Sequence, residues 1–403
     1  MKKETISEEL YKRALMHIPW GTQTNAKRPI LDYAGVMPFY IEKAKGCRFW
    51  DVDADEYIDY RLALGPVILG YGYDEVDKAV RTQLEKGVLF SMASPVEIEL
   101  AEEICSTVPS IEMVRFGKNG VDANASNIRI SRAYTGKKKI VRCGYNGYHD
   151  WFSTGIEGNG VPKLLSEFVY EVSYGDVEGL EKILKKDASN ISCILSVPYD
   201  FNEDISGDYP RALRKLADEY DVILIFDEVL TGFRLSIGGA QEYFGVRPDL
   251  TSFAKAIANG FPLSAYGGKQ KLMEKLNDFV ITTTYAGETL SIAAAIATLK
   301  VMKKEHVHDH IFKMGGRLMN GFHGIASRFG VEIKIGGFPV ASYTLFNYGD
   351  KDKNNRLQFA LNRELFKEHV FVYDRWFISF SHKEADIDET LNRFERALKR
   401  SLK

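Results

Sequence analysis

Helical patterns alternate with short apolar runs through the middle of this chain, and this alternation constrains its fold more than any other sequence feature. The clearest apolar run, 222–226, reads Val-Ile-Leu-Ile-Phe. An unbroken run of this kind is typical of a strand that is buried on both faces. Further strands are predicted at 113–116, 139–142, 191–197 and 266–268. Strands that alternate with helices favour a mostly parallel sheet covered by helices on both faces, so the sequence predicts an α/β fold.

The two ends of the chain show different patterns. Residues 1–75 contain short β-rich segments separated by Gly46 and an acidic turn at 53–56, which predicts a small meander of strands. Residues 302–403 mix helical patterns with strands, which is typical of an α+β arrangement. We therefore expect a large domain at 76–301 and a small α+β domain that is built from both chain ends.

Composition and charge exclude several classes of function. The 403-residue chain is 27% charged with a formal net charge of -2, so it has no excess of positive charge with which to bind nucleic acid. Its four cysteines are scattered, and His306, His308 and His310 lie in a charged stretch, so we expect no metal site and no disulfide framework. The N-terminus lacks the apolar core of a signal peptide, and no apolar run is long enough to span a membrane. These features predict a cytoplasmic protein with no membrane partner.

Lys255 is isolated among apolar residues. It is the only charged side chain between Asp249 and Lys269, and its neighbours include Phe253 and Ile257. An ammonium group in apolar surroundings is costly unless it is paired or deprotonated. A lysine held in this way can act as a nucleophile or form an imine with a carbonyl compound. The alternative interpretation is a lysine whose aliphatic stem simply extends to solvent.

Three further features lie at predicted strand ends. Asp227 directly follows the 222–226 strand, where ligands of open α/β sheets bind, although an Asp at this place can also cap the next turn. A glycine-bearing turn at 116–122 leads into a helix whose free N–H groups can bind an anion. An aromatic cluster at 144–151, Gly-Tyr-Asn-Gly-Tyr-His-Asp-Trp, can stack on a flat ring or pack on a neighbouring domain.

Together these features resemble the class III aminotransferases, which are pyridoxal 5′-phosphate (PLP) enzymes of fold type I, and most closely their glutamate-1-semialdehyde 2,1-aminomutase branch. The most specific match is Phe-Asp-Glu-Val-Leu-Thr-Gly-Phe-Arg at 226–234 with Lys255 downstream. The matching segments cover nearly the whole chain and include 50–59, 132–137, 248–265 and 378–388. The resemblance implies a large domain with a mostly parallel sheet between helices, plus a small α+β domain.

The resemblance also implies a role for individual residues. Lys255 would bind PLP covalently and would move the proton between the substrate α-carbon and the C4′ carbon of the cofactor. Asp227 would pair with the pyridine nitrogen and keep it protonated, which makes the ring an electron sink. The resemblance further implies that Asn119, Gly120 and Val121 contact the phosphate, and that Val229 and Tyr148 lie on the two ring faces with His149 beside Tyr148. Asn202 would contact the phenolic oxygen. The resemblance also implies a homodimer whose sites form at the interface, in which Thr284 would contact the phosphate of the partner subunit.

The chain departs from the family pattern at several positions. Asn-Gly-Val at 119–121 stands where Ser-Gly-Thr is common, which removes a hydroxyl ligand but leaves the backbone donors, and Glu-Thr at 288–289 replaces Asn-Pro. Leu64 replaces a tryptophan, and Lys27 lies near the position of the aminomutase's carboxylate-binding arginine. A lysine presents a point charge rather than a bidentate fork. The departures at Leu64 and Lys27 predict a relative that acts on another small oxo compound.

We therefore expect a PLP-dependent aminotransferase that moves an amino group between an amino donor and a small keto or aldehyde compound, with carbohydrates and phosphorylated metabolites among the candidates. The alternatives are an intramolecular aminomutase of the glutamate-1-semialdehyde type and a non-catalytic PLP-binding protein. For two further residues, a substrate contact and a structural role are both open. Trp151 could line the substrate pocket or pack in the domain, and Arg375 could bind a substrate anion or pair with an acidic neighbour.

Overall fold

The computed structural model describes residues 5–154, 156, 158–201, 208–373 and 375–403. The chain divides into two compact units. We call Asp74–His308 the large unit, and we call Met1–Tyr73 together with Asp309–Lys403 the small unit. The domain bounds expected from the sequence stay a prediction, because compactness alone does not show which parts fold independently.

Helices and strands account for most of the described chain. The strands are β1 (Ile41–Lys45), β2 (Arg48–Asp51), β3 (Glu56–Asp59), β4 (Met113–Gly117), β5 (Lys139–Cys143), β6 (Val169–Val172), β7 (Ile191–Ser196), β8 (Ile223–Glu228), β9 (Leu250–Phe253), β10 (Ser264–Gly268), β11 (Ile333–Gly336), β12 (Ala341–Phe346), β13 (Val370–Phe371) and β14 (Trp376–Phe377). The helices are α1 (Ile6–Leu15), α2 (Asp74–Leu84), α3 (Pro95–Thr107), α4 (Gly120–Thr135), α5 (Val177–Asp187), α6 (Asp208–Glu219), α7 (Ala240–Phe244), α8 (Gln270–Met273), α9 (Thr289–Lys304), α10 (Val307–Phe329), α11 (Lys351–Lys367) and α12 (Glu384–Ser401).

The large unit contains a seven-stranded sheet with the order β4-β10-β9-β8-β7-β5-β6. From β9 to β6 every neighbouring pair is parallel, whereas β10 is antiparallel to both β4 and β9. Every residue of the central strands β7 and β8 is buried. This burial explains their continuous apolar sequence, and the predicted mostly parallel sheet is confirmed.

Helix α4 covers one part of this sheet. Its residues Ile128 and Ile130 join Ile140, Leu195 and Ile225 from the strands in one buried apolar cluster. The helix ends at Gly136, whose φ of 71° is the left-handed conformation that glycine adopts at little cost. This packing fixes the first turn of α4 against the end of β4, where the predicted anion-binding turn lies.

The small unit contains two small sheets, with the orders β1-β2-β3-β13 and β11-β12-β14. The meander predicted near the N-terminus is present, and its first strand begins at Ile41. Strand β13 pairs in parallel with β3, so the two chain ends share one sheet. Stacked and edge-to-face contacts among Phe49, Tyr57 and Phe371 stabilise this junction.

No helix in the described part of the chain is long and apolar enough to cross a membrane. His308 and His310 lie on α10, and the Nε2–H of each ring donates to a backbone carbonyl, of Phe233 and His382 respectively. Among the described residues, no group of three or more His, Cys, Asp or Glu side chains is arranged to hold a metal ion.

Candidate active site

Asp227 and Lys255 lie at the same edge of the large-unit sheet. Asp227 is next to last in β8, where it pairs with Ser252 of the adjacent parallel strand β9. Lys255 follows the end of β9 by two residues. Because parallel strands end at the same edge, both side chains reach the crevice outside the carboxyl ends of the strands, which is where open α/β sheets bind ligands.

The backbone at Lys255 adopts an uncommon conformation. Its φ is 42°, in the left-handed region, and it begins a single 3₁₀ turn, Lys255–Ala258, whose other residues are buried. A non-glycine residue in this region costs about 1 kcal/mol or more and persists only where the surrounding structure enforces it. The turn therefore holds the lysine side chain in a defined direction.

The Asp227 carboxylate is only 4% exposed and is surrounded by donors. The amide nitrogens of Asn124 and Asn146 donate to its Oδ2 at 2.8 and 2.9 Å, and the backbone N–H of Val229 donates to its Oδ1 at 3.1 Å. Two carboxylate oxygens offer about four acceptor positions. The donor set therefore leaves room for one more hydrogen bond, which fits the protonated pyridine nitrogen of PLP.

Two opposing effects act on the charge of Asp227. Burial raises the pKa of this carboxyl above its ordinary value, while the hydrogen bonds from Asn146, Val229 and Asn124 and the positive charge of Lys255 act to lower the pKa. The three donors favour the ionised carboxylate against the effect of burial. A cation bound at Asp227 would favour the ionised form further.

The neighbouring carboxylate, Glu228, is held differently. It is fully buried and accepts hydrogen bonds from the backbone N–H groups of Ala240 and Gln241, at 2.5 and 3.1 Å, and from the Thr231 hydroxyl at 2.9 Å. Consecutive residues of a strand point to opposite faces of the sheet. Glu228 therefore anchors α7 to the sheet, while Asp227 faces the candidate site.

Residues 119–121 lie at the start of α4, shortly after the end of β4, and we call them the phosphate turn. A side chain added at Gly120 would place its Cβ 2.5 Å from a methyl carbon of Val229, so only glycine fits here. Helix α4 begins at Gly120, and the first N–H groups of a helix have no acceptor within the helix. These N–H groups and the close approach to Val229 fit a phosphate group beside a flat ring.

The loop at 144–151, which we call the aromatic loop, contacts Asp122, the residue directly after the phosphate turn. One Asp122 oxygen lies 3.4 Å from Nε2 of His149, and the other accepts from the side-chain amide of Asn119 at 3.0 Å. Tyr148 contacts His149 edge-to-face and is 73% exposed. The loop therefore places His149 at the turn and leaves Tyr148 accessible to a ligand.

The remaining predicted contacts of the large unit have different surroundings. Trp151 packs against the apolar cluster of the sheet, and the guanidinium of Arg132 lies 4.2 Å from its ring centre. Thr284 is exposed in the loop before α9. Asn202 lies outside the described residues. For all three, the assigned function stays a prediction.

Lys27 and Leu64 line a cavity of about 330 Å³ within the small unit. Its other walls are largely apolar and aromatic, with Arg61 and Asp59 as further charged residues. Three consecutive residues at its edge, 62–64, have left-handed φ values of 44°, 55° and 76°. Such a strained segment is typical of a ligand-binding site. The fourth predicted substrate contact, Arg375, is buried beside β14.

Sequence reasoning missed the two amides that hold Asp227. Asn124 lies on α4 and Asn146 lies in the aromatic loop, and the Asn124 amide also donates to the backbone carbonyl of Asn146 at 3.0 Å. Asn124 gave no distinct signal, because Asn127 and Ser131 are also buried polar residues at helical spacing on α4. Asn146 gave none either, because a polar residue in a loop needs no explanation.

Comparison with known proteins agrees with this geometry. The sequence pattern of the family described as Aminotransferase class-III matches residues 32–195 and 203–338. The glutamate-1-semialdehyde 2,1-aminomutase of Methanococcoides burtonii is 35% identical to this chain, over 98% of this chain and 99% of its own length. The 3-aminobutyryl-CoA aminotransferase of Cloacimonas acidaminovorans is 34% identical, over 97% of this chain and 96% of its own length.

Among solved structures, that of the FumI protein of Sphingopyxis sp. MTA144 with PLP matches with a TM-score of 0.90 and 28% identity. The match covers 98% of this chain and 96% of the FumI chain. The similarity therefore extends over both units of the chain.

Proposed function

Because the chain belongs to the class-III aminotransferase family, we propose that it is an aminotransferase that moves an amino group from an amino donor to a small keto or aldehyde compound. It is a PLP-dependent enzyme of fold type I. The observation that carries the proposal is the position of Lys255 beside the buried Asp227 carboxylate, whose pKa its charge acts to lower. An amine and a buried anion at one sheet edge supply the two functions that amino transfer requires.

PLP supplies an aldehyde that captures amines and a ring that accepts electrons from the substrate α-carbon. Lys255 would hold the cofactor through Nζ, and its amine would take up and return the proton of the substrate α-carbon. Asp227 would pair with the pyridine nitrogen and keep it protonated, and Asn124 and Asn146 hold that carboxylate in place. Each step uses a group already held in position, which limits the reorganisation needed during reaction.

Further residues of the large unit would contact the phosphate and the ring of the cofactor. We assign the phosphate to the backbone of Asn119, Gly120 and Val121, and the two ring faces to Val229 and Tyr148. The contact between Gly120 and Val229 supports this assignment, because it brings the turn and one ring face together. His149 lies beside Tyr148, and we assign Asn202 to the phenolic oxygen on the basis of the family resemblance.

For the substrate we propose a compound that carries a phosphate or carboxylate group in addition to its carbonyl. Lys27, Arg61 and Asp59 give the lining of the small-unit cavity one net positive charge, and Leu64 contributes an apolar wall. A point charge such as lysine suits a phosphate as well as a carboxylate. We retain Arg375 and Trp151 as further proposed substrate contacts.

A second candidate function is an intramolecular aminomutase, in which one substrate both gives and receives the amine. The 35% identity to a glutamate-1-semialdehyde 2,1-aminomutase supports it. The substitutions at Lys27 and Leu64 support the aminotransferase instead, because they alter the charge and shape of the proposed substrate contacts.

Labelled nitrogen separates the two functions. The holoenzyme is incubated with ¹⁵N-labelled amino donors and unlabelled keto or aldehyde acceptors, and the products are analysed by mass spectrometry. We expect label in the aminated acceptor and one oxo product released per site when no acceptor is added, with lower KM for phosphorylated or carboxylated acceptors. Isomerisation of a single amino compound without transfer to any acceptor would establish the aminomutase. A PLP-loaded protein that does neither would be a non-catalytic binding protein.

We also propose a homodimer whose sites form at the interface. Several large apolar side chains are exposed between the end of α2 and the first part of α3. They are Leu84, Val88, Leu89, Phe90, Met92 and Ile98. A backbone hydrogen bond from Thr289 to Val88 ties this segment to the start of α9, just after the exposed Thr284. Exposed apolar surface of this kind is typical of a subunit interface.

Sedimentation tests the dimer directly. We expect a species of twice the chain mass of 45.6 kDa, and we expect Phe90→Asp to shift it toward the monomer because a carboxylate would be buried without a partner. A monomeric holoenzyme with full activity would contradict the proposal, together with the assignment of Thr284 to the phosphate of the partner subunit.

A further inference from the structure

A largely buried ion pair joins the phosphate turn to a distant helix of the large unit. Nζ of Lys118, the residue directly before the turn, lies 2.8 Å from Oε2 of Glu288, and the two side chains are only 19% and 13% exposed. Most surface ion pairs contribute little because water screens them, but screening is weaker for a pair removed from solvent. Removal of one partner from a buried ion pair leaves the charge of the other partner uncompensated.

Glu288 has a second contact that fixes its position. Its Oε1 accepts from the backbone N–H of Leu290 at 2.7 Å, so the side chain caps the start of α9. Burial acts to raise the pKa of Glu288, but the hydrogen bonds from Lys118 and the helix start bring the pKa below its ordinary value. Its charge at neutral pH is therefore favoured by both partners.

The chain next to Glu288 is also anchored. The Thr289 hydroxyl donates to the backbone carbonyl of Gly87 at 2.8 Å, and Gln83 donates to the Thr289 hydroxyl at 3.1 Å. Residues 282–287, which carry Thr284, end at this anchored point. We call 282–287 the Thr284 loop. Lys118 thus connects the start of the phosphate turn to the end of the Thr284 loop.

The phosphate turn needs such an anchor because its own side chains do little to hold it in one conformation around a phosphate. Asn-Gly-Val at 119–121 stands where the family commonly has Ser-Gly-Thr, so a hydroxyl ligand that could order the turn around a phosphate is absent from it. The turn is instead held by the contact of Gly120 with Val229, the bond of Asn119 to Asp122, and the ion pair of Lys118.

We propose that Lys118 and Glu288 are a positioning pair that fixes the phosphate turn to the Thr284 loop, so that the turn is ordered for the PLP phosphate of its own subunit and the loop for that of the partner subunit. The proposal rests on the assignment of 119–121 to the phosphate. Neither side chain contacts the cofactor in this account. Each acts through the backbone segment that it holds.

Substitution of Glu288 separates positioning from simple electrostatics. Glu288→Gln removes a negative charge near an anion site, so electrostatics alone predicts tighter PLP binding. Positioning predicts the opposite, because the turn loses its anchor. By equilibrium dialysis of the holoenzyme, we expect Glu288→Gln and Lys118→Met each to raise the Kd for PLP about tenfold. The double variant should show about the same Kd as either single variant, because both changes remove one interaction.

Two matched variants and one further measurement complete the test. Lys118→Arg should keep the ion pair and a Kd near that of the unaltered protein. Lys300→Met removes an exposed ion pair with Glu99 elsewhere on α9 and should leave the Kd unchanged. Hydrogen exchange should become faster in the phosphate turn and the Thr284 loop in Glu288→Gln, but not in Lys300→Met.

The inference is overturned if Glu288→Gln binds PLP as tightly as the unaltered protein or more tightly, or if the two single effects multiply in the double variant. These readouts do not depend on amino transfer. A protein that transfers no amino group but shows the expected pattern of Kd values would contradict the proposed function and leave the positioning pair intact.

Discussion

Lys255→Ala is expected to lower kcat for amino transfer by about 10³-fold or more. The variant loses the amine that we assign to covalent attachment and to proton transfer, and a positioned general base alone contributes about 10² to 10⁴-fold. Steady-state rates with a donor found in the labelling experiment measure the effect. PLP should still bind, because the contacts of the phosphate turn and Asp227 remain.

Lys255→Arg and added amines identify the reason for that loss. Arginine keeps a positive charge near Asp227 but cannot give up a proton at neutral pH. We expect Lys255→Arg to be as inactive as Lys255→Ala. We also expect a small amine such as methylamine to restore part of the proton-transfer rate in the alanine variant. An active Lys255→Arg enzyme would show that the charge of this residue, rather than its chemistry, is what matters.

Asp227→Asn is expected to lower kcat by about 10² to 10³-fold, which is the usual cost of removing one group that stabilises charge in a transition state. The amide cannot hold a proton on the pyridine nitrogen. If its amide oxygen accepts from Asn124 and Asn146, its NH2 group faces the backbone N–H of Val229, which cannot accept a hydrogen bond. The ¹⁵N chemical shift of the PLP pyridine nitrogen should therefore change from the protonated to the unprotonated value.

Glu228→Gln is the matched control, because Glu228 is a buried carboxylate adjacent to Asp227 in the same strand. Its partners belong to α7 and to Thr231. We expect this variant to lower the melting temperature, since it weakens charge-assisted hydrogen bonds. The pyridine nitrogen should stay protonated. An unchanged ¹⁵N shift in Asp227→Asn would contradict the role of Asp227.

Local sequence patterns predicted the fold well where a strand is buried on both faces. The apolar run at 222–226 predicted β8, and the alternation with helices predicted a mostly parallel sheet. The direction of β10 could not be predicted in the same way, because an apolar strand has the same pattern whether its neighbours are parallel or antiparallel. Strand β6 was missed because it lies at the sheet edge and its two middle residues, Tyr170 and Glu171, are not buried, so it has no continuous apolar run.

Sequence patterns likewise identified some residues of the candidate site and missed others. Lys255 was singled out because it is a charged residue in an apolar context, which is costly without a function, and Asp227 because it lies at the end of a predicted strand. The partners of Asp227 and Lys118 come from chain segments far away in sequence, and only packing brings them together. A single sequence contains no record of such contacts. Its local patterns therefore identify charged centres more readily than the residues that position them.

Reduction and peptide mapping of the holoenzyme test the central claim most directly. Borohydride converts a PLP–lysine linkage into a stable amine, and mass spectrometry of the digested protein then locates the label. We expect one labelled peptide that contains Lys255, and we expect its label to disappear after reaction with an excess of amino donor before reduction. Label on another lysine, or a PLP-loaded protein that acquires no label, would contradict the assignment of Lys255 and the mechanism built on it.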